Sequence, residues 1–258
     1  MKYLLLLSFA CAVHAQDFDH AHKAWDALLK KHVVLLEGGK ASQLRYAAMA
    51  QERASLKQYL DTLAKVAEAN FNSWSTPEQV AFLINAYNAY TVEKILTRYP
   101  NIKSIWDFGK FFGNPFKDRF FTLLGRRMSL DELEHEILRK RYREPRVHYA
   151  VNCASVGCPM LREEAYVAER LDLQLEEQAR RFLSDRSRNR VRNAKLEVSK
   201  IFDWFKEDFE PRERYFAPYA ELLSENPQER QKIAAGTLPI SFLDYDWSLN
   251  DSRSSSLR

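Results

Sequence analysis

The chain predicts an α+β fold: a helical N-terminal part followed by a small mixed or antiparallel sheet packed with helices. Two observations carry this. Apolar residues recur at helical spacing through roughly the first hundred positions. The strand-like runs are short and gathered in the second half, whereas a doubly wound α/β chain would alternate the two patterns.

In 17–70, Ala24, Leu28, Leu29, Val33 and Leu36 follow helical spacing, as do Leu56, Leu60, Leu63 and Val66. Gly38-Gly39 separates the two helical segments. Thr76-Pro77-Glu78-Gln79 reads as a capping box with proline at the first helical position. The helix it opens runs through Val80, Leu83, Ile84, Val92 and Leu96 and stops at Pro100. Residues 102–121 are aromatic-rich and broken by Gly109, Gly113 and Pro115, which predicts a surface-crossing loop. Its Trp106, Phe108, Phe111 and Phe112 are expected to be mostly buried as anchors. The runs 120–124 and 126–128 around Gly125 predict a hairpin. Ser129-Leu130-Asp131-Glu132 is a second capping box, opening a helix through Glu134, Ile137 and Leu138. Residues 147–152 read as a strand, 171–183 as a helix, and 196–201 and 240–245 as further strands.

The N-terminus reads as an address. Met1-Lys2-Tyr3, the apolar run 4–13 and the small residues Val13 and Ala15 make a secretory signal over 1–15, cleaved near Ala15. Cys11 raises lipid modification, but Ser8-Phe9-Ala10 before it fits a lipoprotein context poorly. The implied divisions are a helical extension over 16–70, a globular domain over 71–250 and a flexible tail over 251–258. The expected location is periplasmic or secreted. The apolar run is shorter than the roughly 20 residues a bilayer needs, and no later segment is transmembrane. Losing Lys2 takes the formal charge from +4 to +3, too weak to argue for nucleic acid. The expected partner is a small molecule, a peptide or an envelope polymer. No cofactor and no metal is called for.

The densest chemistry lies in 148–159, where a small-residue loop is bracketed by Cys153 and Cys158. Three readings stay open. A disulfide would pin the loop, worth about 2 kcal/mol by chain entropy, and suits an oxidising compartment. Alternatively one cysteine is a nucleophile whose thiolate a histidine or backbone donors stabilise. Metal binding is the weakest, since two cysteines without nearby histidines make a poor zinc site. The candidate bases are His148 and His135, the latter beside Glu134. On a regular strand His148 and Cys153 would face opposite sides about 16 Å apart. Asn85 and Asn88 sit three apart in an apolar helix and need partners if buried. They, with Asn152 and Ser155, are the candidate orienting or substrate-binding groups. Basic clusters at 139–146 and 180–192 read as solvated charge, with attraction of an anionic polymer as the alternative.

Several of these stretches together resemble the family catalogued as domain of unknown function 547. They are Ala81-Phe82-Leu83-Ile84-Asn85-Ala86-Tyr87-Asn88-Ala89-Tyr90, Leu130-Asp131-Glu132-Leu133-Glu134-His135 with Leu138-Arg139, Arg146-Val147-His148-Tyr149-Ala150-Val151-Asn152-Cys153 and Ser155-Val156-Gly157-Cys158-Pro159. Ser199-Lys200-Ile201-Phe202-Asp203-Trp204-Phe205 with Asp208-Phe209 resembles a later landmark, and Tyr245-Asp246-Trp247-Ser248-Leu249-Asn250 the ending of bacterial members. The resemblance is strongest over 75–210; Leu83 departs from it, where relatives tend to carry tryptophan. It implies that the motif residues belong together and brings no settled activity. Two functions follow from the residues. One is a thiol-dependent hydrolase or acyl transferase, with Cys153 or Cys158 as nucleophile and His135 or His148 as base. The other is a non-enzymatic envelope binding domain stapled by a Cys153–Cys158 disulfide.

Overall fold

The computed structural model describes residues 18–109 and 113–252. The predicted signal peptide, Phe111, Phe112 and all but the first two residues of the predicted tail lie outside the described residues. The architecture is α+β, with helices and, among the described residues, three small sheets.

Helix α1 (Lys23–His32) leads into an antiparallel hairpin of β1 (Val33–Leu36) and β2 (Ala41–Leu44). Val33 and Leu36 are therefore strand residues, which corrects their helical reading. The reason is local: Gly38 and Gly39 take left-handed backbone, with φ of 66° and 88°, and reverse the chain. Helices α2 (Tyr46–Gln51), α3 (Arg53–Ala64) and α4 (Glu68–Ser73) follow.

Helix α5 (Thr76–Leu96) is the centre of the molecule, with every residue from Gln79 to Leu96 buried. A helix that is apolar nearly all round has to sit inside. Its cap begins one residue earlier than the sequence suggested. Ser75 is the N-cap, and its N–H and hydroxyl donate to Glu78 Oε2 at 2.8 and 2.7 Å. The predicted hairpin is present as β3 (Phe121–Leu123) and β4 (Arg126–Met128). The second capping box closes reciprocally: the Ser129 N–H donates to Glu132 Oε2 and the Glu132 N–H to Ser129 Oγ. What it opens is a π-helix, Glu132–Tyr142, a wide winding that recurs at functional sites.

Residues 147–152 are not a strand. Pro145–Tyr149 is a 3₁₀ helix, with proline at its start and Glu144 Oε1 accepting from the Arg146 N–H. The amides of Ala150 and Val151 bond back to the Val147 carbonyl, so no neighbouring strand is needed. Helix α6 (Leu171–Ser184) matches its expected span. A three-stranded sheet joins β5 (Arg190–Arg192), β6 (Lys195–Val198) and β7 (Ile240–Phe242); β5 pairs antiparallel to β6, and β7 parallel to it. The expected strand 196–201 thus ends at Val198, and Ile201–Trp204 begins a short helix, α7.

Two apolar clusters form the interior. The larger surrounds α5 and includes Trp25, Leu44, Tyr46 and Leu249. The smaller gathers Tyr149, Phe182, Phe202, Phe209 and Phe216 around α6 and the sheet. The 149–154 segment crosses from the second to the first, and the candidate site lies along it. Trp106, expected inside, is 39% exposed. Among the described residues no helix is long and apolar enough to cross a membrane.

Candidate active site

The cysteine loop is held from two sides. From α5, Asn88 Nδ2 donates to the Ala150 carbonyl at 2.9 Å, while Asn88 Oδ1 accepts from the Asn152 N–H at 2.8 Å. One amide side chain thereby replaces a strand neighbour. Asn85 makes the same two-way contact, but with Tyr166, not with the cysteine loop. Asn152 donates to the Pro159 carbonyl and accepts from the Ala154 N–H, closing the base of the loop.

The second wall is the C-terminal segment. The Val156 N–H donates to the Ser248 carbonyl and the Gly157 N–H to the Asp246 carbonyl, each at 2.8 Å. A Cβ built on Gly157 would stand 2.9 Å from the Asp246 nitrogen, so only glycine admits this approach. The strand-like contact delivers Tyr245, whose hydroxyl lies 3.2 Å from Cys153 Sγ.

Cys153 is half-buried and Cys158 buried; both are free thiols with their sulfurs 2.7 Å apart. The structure thus shows proximity without a disulfide. Ser155 Oγ is 3.1 Å from Cys153 Sγ, and the Cys153 N–H donates to Cys158 Sγ at 2.8 Å. Burial by itself raises the Cys153 pKa, but hydrogen bonds from Cys158, Ser155 and Tyr245 outweigh it and bring the thiol below its ordinary value. Burial, then the hydrogen bond and charge of Cys153, push Cys158 well up. Burial and the two sulfurs likewise keep Tyr245 a protonated donor. The backbone N–H groups of residues 153, 154, 156, 157 and 158 are all engaged within the protein, and that of Ser155 faces Cys153 Sγ. Arg188 caps the loop by donating to the Val156 carbonyl.

The histidines lie in a second polar centre. His148 is buried, stacks on Phe205 at 4.2 Å, and places Nε2 2.6 Å from Asp208 Oδ2. Its Nδ1 has no hydrogen-bond partner and faces Glu134 Oε1 at 3.8 Å. Arg139 also donates to Asp208, at 2.6 Å, and reaches His135 Nδ1 at 3.0 Å. Burial raises the Asp208 pKa, yet the hydrogen bonds and charges of His148 and Arg139 hold it well below the carboxylate range. A cleft of ≈ 690 Å³ opens here, lined by His135, Arg139, Lys140, Glu144 and Asp208. No histidine nitrogen of the described residues is within hydrogen-bonding distance of either sulfur. Tyr87 links the centres electrostatically: burial, then Glu134 and the two cysteines, drive its pKa well up.

The site residues named from sequence therefore fall into three groups. Cys153, Cys158 and Ser155 converge with Asn88 and Asn152 behind them; Glu134, His135 and His148 gather apart; Asn85 braces the Tyr166 turn. Sequence reasoning missed Tyr245, Asp208 and Arg139 as members. All three did stand inside quoted motifs, which was the available signal. Much of the basic clustering is internally paired, as with Arg146 to Glu144 and Arg181 to Glu163. Beside Tyr245 lies an aromatic patch: Trp204 stacks on Trp247 at 5.6 Å, Trp106 meets Trp247 edge-on, and Trp204 is 42% exposed. The larger cavity, ≈ 1070 Å³ between α1, α3 and α4, is lined by none of the candidate residues.

Residues 71–183 match the family described as "Protein of unknown function, DUF547". Over that segment the chain is similar to this family, in line with the resemblance its motifs carry. The match contains α5, the π-helix and both cysteines, whereas Asp208 and Tyr245 lie beyond it. No curated protein and no solved structure matches the chain.

Proposed function

We propose that this protein is a thiol-dependent hydrolase or acyl transferase that works outside the cytoplasm after cleavage near Ala15, with Cys153 as nucleophile. The observation that carries the reading is the set of donors converging on Cys153 Sγ: the Tyr245 and Ser155 hydroxyls and the Cys158 thiol. A thiolate held by hydroxyls needs no histidine to deprotonate it, which accommodates the distance of His135 and His148. Cys153 Sγ would attack a carbonyl carbon, and the leaving group would take a proton from Tyr245 or Cys158. Water or a second nucleophile would then cleave the acyl thioester. Because the loop amides are engaged, the Tyr245 hydroxyl is the donor best placed for the developing oxyanion. The exposed tryptophans beside it would offer the substrate an apolar landing surface.

A second reading, a binding domain stapled by a Cys153–Cys158 disulfide, is favoured by the 2.7 Å between the sulfurs. Two measurements on reduced protein decide. Iodoacetamide labelling followed against pH, with peptide mapping, should modify Cys153 first, with a midpoint below that of an ordinary thiol near about 8.5. p-Nitrophenyl acetate should leave an acetyl group on Cys153. Equal, slow labelling of both cysteines and no acyl adduct would leave the stapled binding domain.

A further inference from the structure

We propose that the cysteine loop also performs thiol–disulfide exchange with small disulfides, Cys153 attacking and Cys158 resolving. The inference rests on Cys153 being the reactive thiol, as in the reading above.

Three geometric facts order the steps. Cys153 is half-buried and Cys158 buried, so an incoming disulfide meets Cys153 first. Ala154, at a left-handed φ of 61°, turns the chain directly after Cys153 and brings position 158 back against it. The resolving sulfur is already in place, accepting the Cys153 N–H at 2.8 Å and lying 2.7 Å from the sulfur it would attack. Exchange requires the attacker, the central sulfur and the leaving sulfur to come together, and two of the three are preassembled here.

The chemistry balances without a cofactor. The Cys153 thiolate attacks one sulfur of a disulfide RSSR; a Cys153–SR bond forms and RS⁻ leaves. Cys158 then loses its proton to solvent or the departed thiolate and attacks the Cys153 sulfur, expelling the second RS⁻. The loop is oxidised to a Cys153–Cys158 disulfide, and the small disulfide is reduced to two thiols. The first step prepares the second. Apart from burial, what pushes the Cys158 pKa up is the hydrogen bond and charge of Cys153. Both disappear once Cys153 is a neutral mixed disulfide, so Cys158 becomes easier to ionise when it must attack. The oxidised loop has no free nucleophile, so the same exchange would switch the acyl-transfer activity off, and a thiol would restore it.

The test uses the full reduced chain carrying Cys11→Ser, so that Cys153 and Cys158 are its cysteines, and 5,5′-dithiobis(2-nitrobenzoate) as the disulfide. This parent chain should release two equivalents of nitrothiolate and retain no adduct. Cys158→Ser should release one equivalent and keep the adduct on Cys153. Cys153→Ser should react slower by about tenfold or more, because the buried thiol alone is a poor attacker. Acid quenching of the parent chain during the reaction should trap the transient adduct on Cys153, a readout that needs no further variant to fold. Dithiothreitol should then re-reduce the native oxidised protein. A stable adduct on the parent chain, equal rates for the two variants, or an oxidised form reduced only after unfolding would each overturn the proposal. p-Nitrophenyl acetate separates the two claims. Acylation of Cys153 without resolution by Cys158 removes the exchange alone, whereas exchange without acylation removes the hydrolase reading alone.

Discussion

An asparagine inside a buried helix is costly unless its amide is matched on both sides. Asn88 is matched, through the Ala150 carbonyl and the Asn152 N–H, and it is 2% exposed. Replacing it with leucine strands both backbone groups at the base of the cysteine loop. Asn88→Leu should therefore lower unfolding free energy in urea by about 1–3 kcal/mol for each stranded group. An unchanged midpoint would mean that water reaches those groups and the amide is no clamp. That Asn88 is special was legible in the sequence as a polar intrusion in an apolar run. That it serves the cysteine loop while Asn85 serves Tyr166 was not, because those partners lie 62 to 81 positions away.

At the scale of elements, the cysteine loop owes its shape to the segment laid against it. Gly157 has no room for a side chain, since a Cβ would meet the backbone of Asp246 at 2.9–3.0 Å and Tyr245 Cδ1 at 3.1 Å. Gly157→Ala should push that segment away, cost about 1–3 kcal/mol of overpacking, and draw the Tyr245 hydroxyl off Cys153. Its signature is double: a lower denaturation midpoint, and a Cys153 alkylation midpoint shifted toward that of an ordinary thiol. Wild-type behaviour in both measurements would show that Tyr245 does not tune the sulfur. The 145–149 segment teaches the complementary lesson. Val147, Tyr149 and Val151 suit a strand, yet Pro145 and the Glu144 cap commit the start of the segment to a 3₁₀ turn. A short apolar run does not by itself distinguish the two, because the partner for its amides is supplied elsewhere.

Across the whole molecule, two groups in different regions make stability fall in acid. Burial beside Tyr59 brings His22 down to about 3 from its ordinary 6.5. Below 6.5 the unfolded chain takes up a proton that the folded chain refuses, so stability present above 6.5 is lost as the pH falls toward 3. Asp208 is depressed by His148 and Arg139, so its contribution is present above the ordinary 3.8 and disappears below it. His22→Gln should thus destabilise near neutrality but show the flatter profile. Its deficit should shrink by at most about 1.4 kcal/mol per pH unit between roughly pH 6.5 and 4. Parallel stability curves for variant and wild type would assign the acid sensitivity elsewhere.

The sequence by itself determined the α+β class, the central helix, the second capping box, the β3–β4 hairpin and the membership of one motif set. These depend on signals between near neighbours: 3.6-residue periodicity, caps three residues apart, and a turn glycine. It also determined that two cysteines share a short loop. Only the tertiary structure decided which groups face those sulfurs. Tyr245 arrives from 92 positions away, and His148 turns to Asp208, 60 positions along, and to Glu134 rather than toward the thiols. Burial and long-range hydrogen bonding set the chemistry of a thiol, and neither is encoded in the few residues on either side of it.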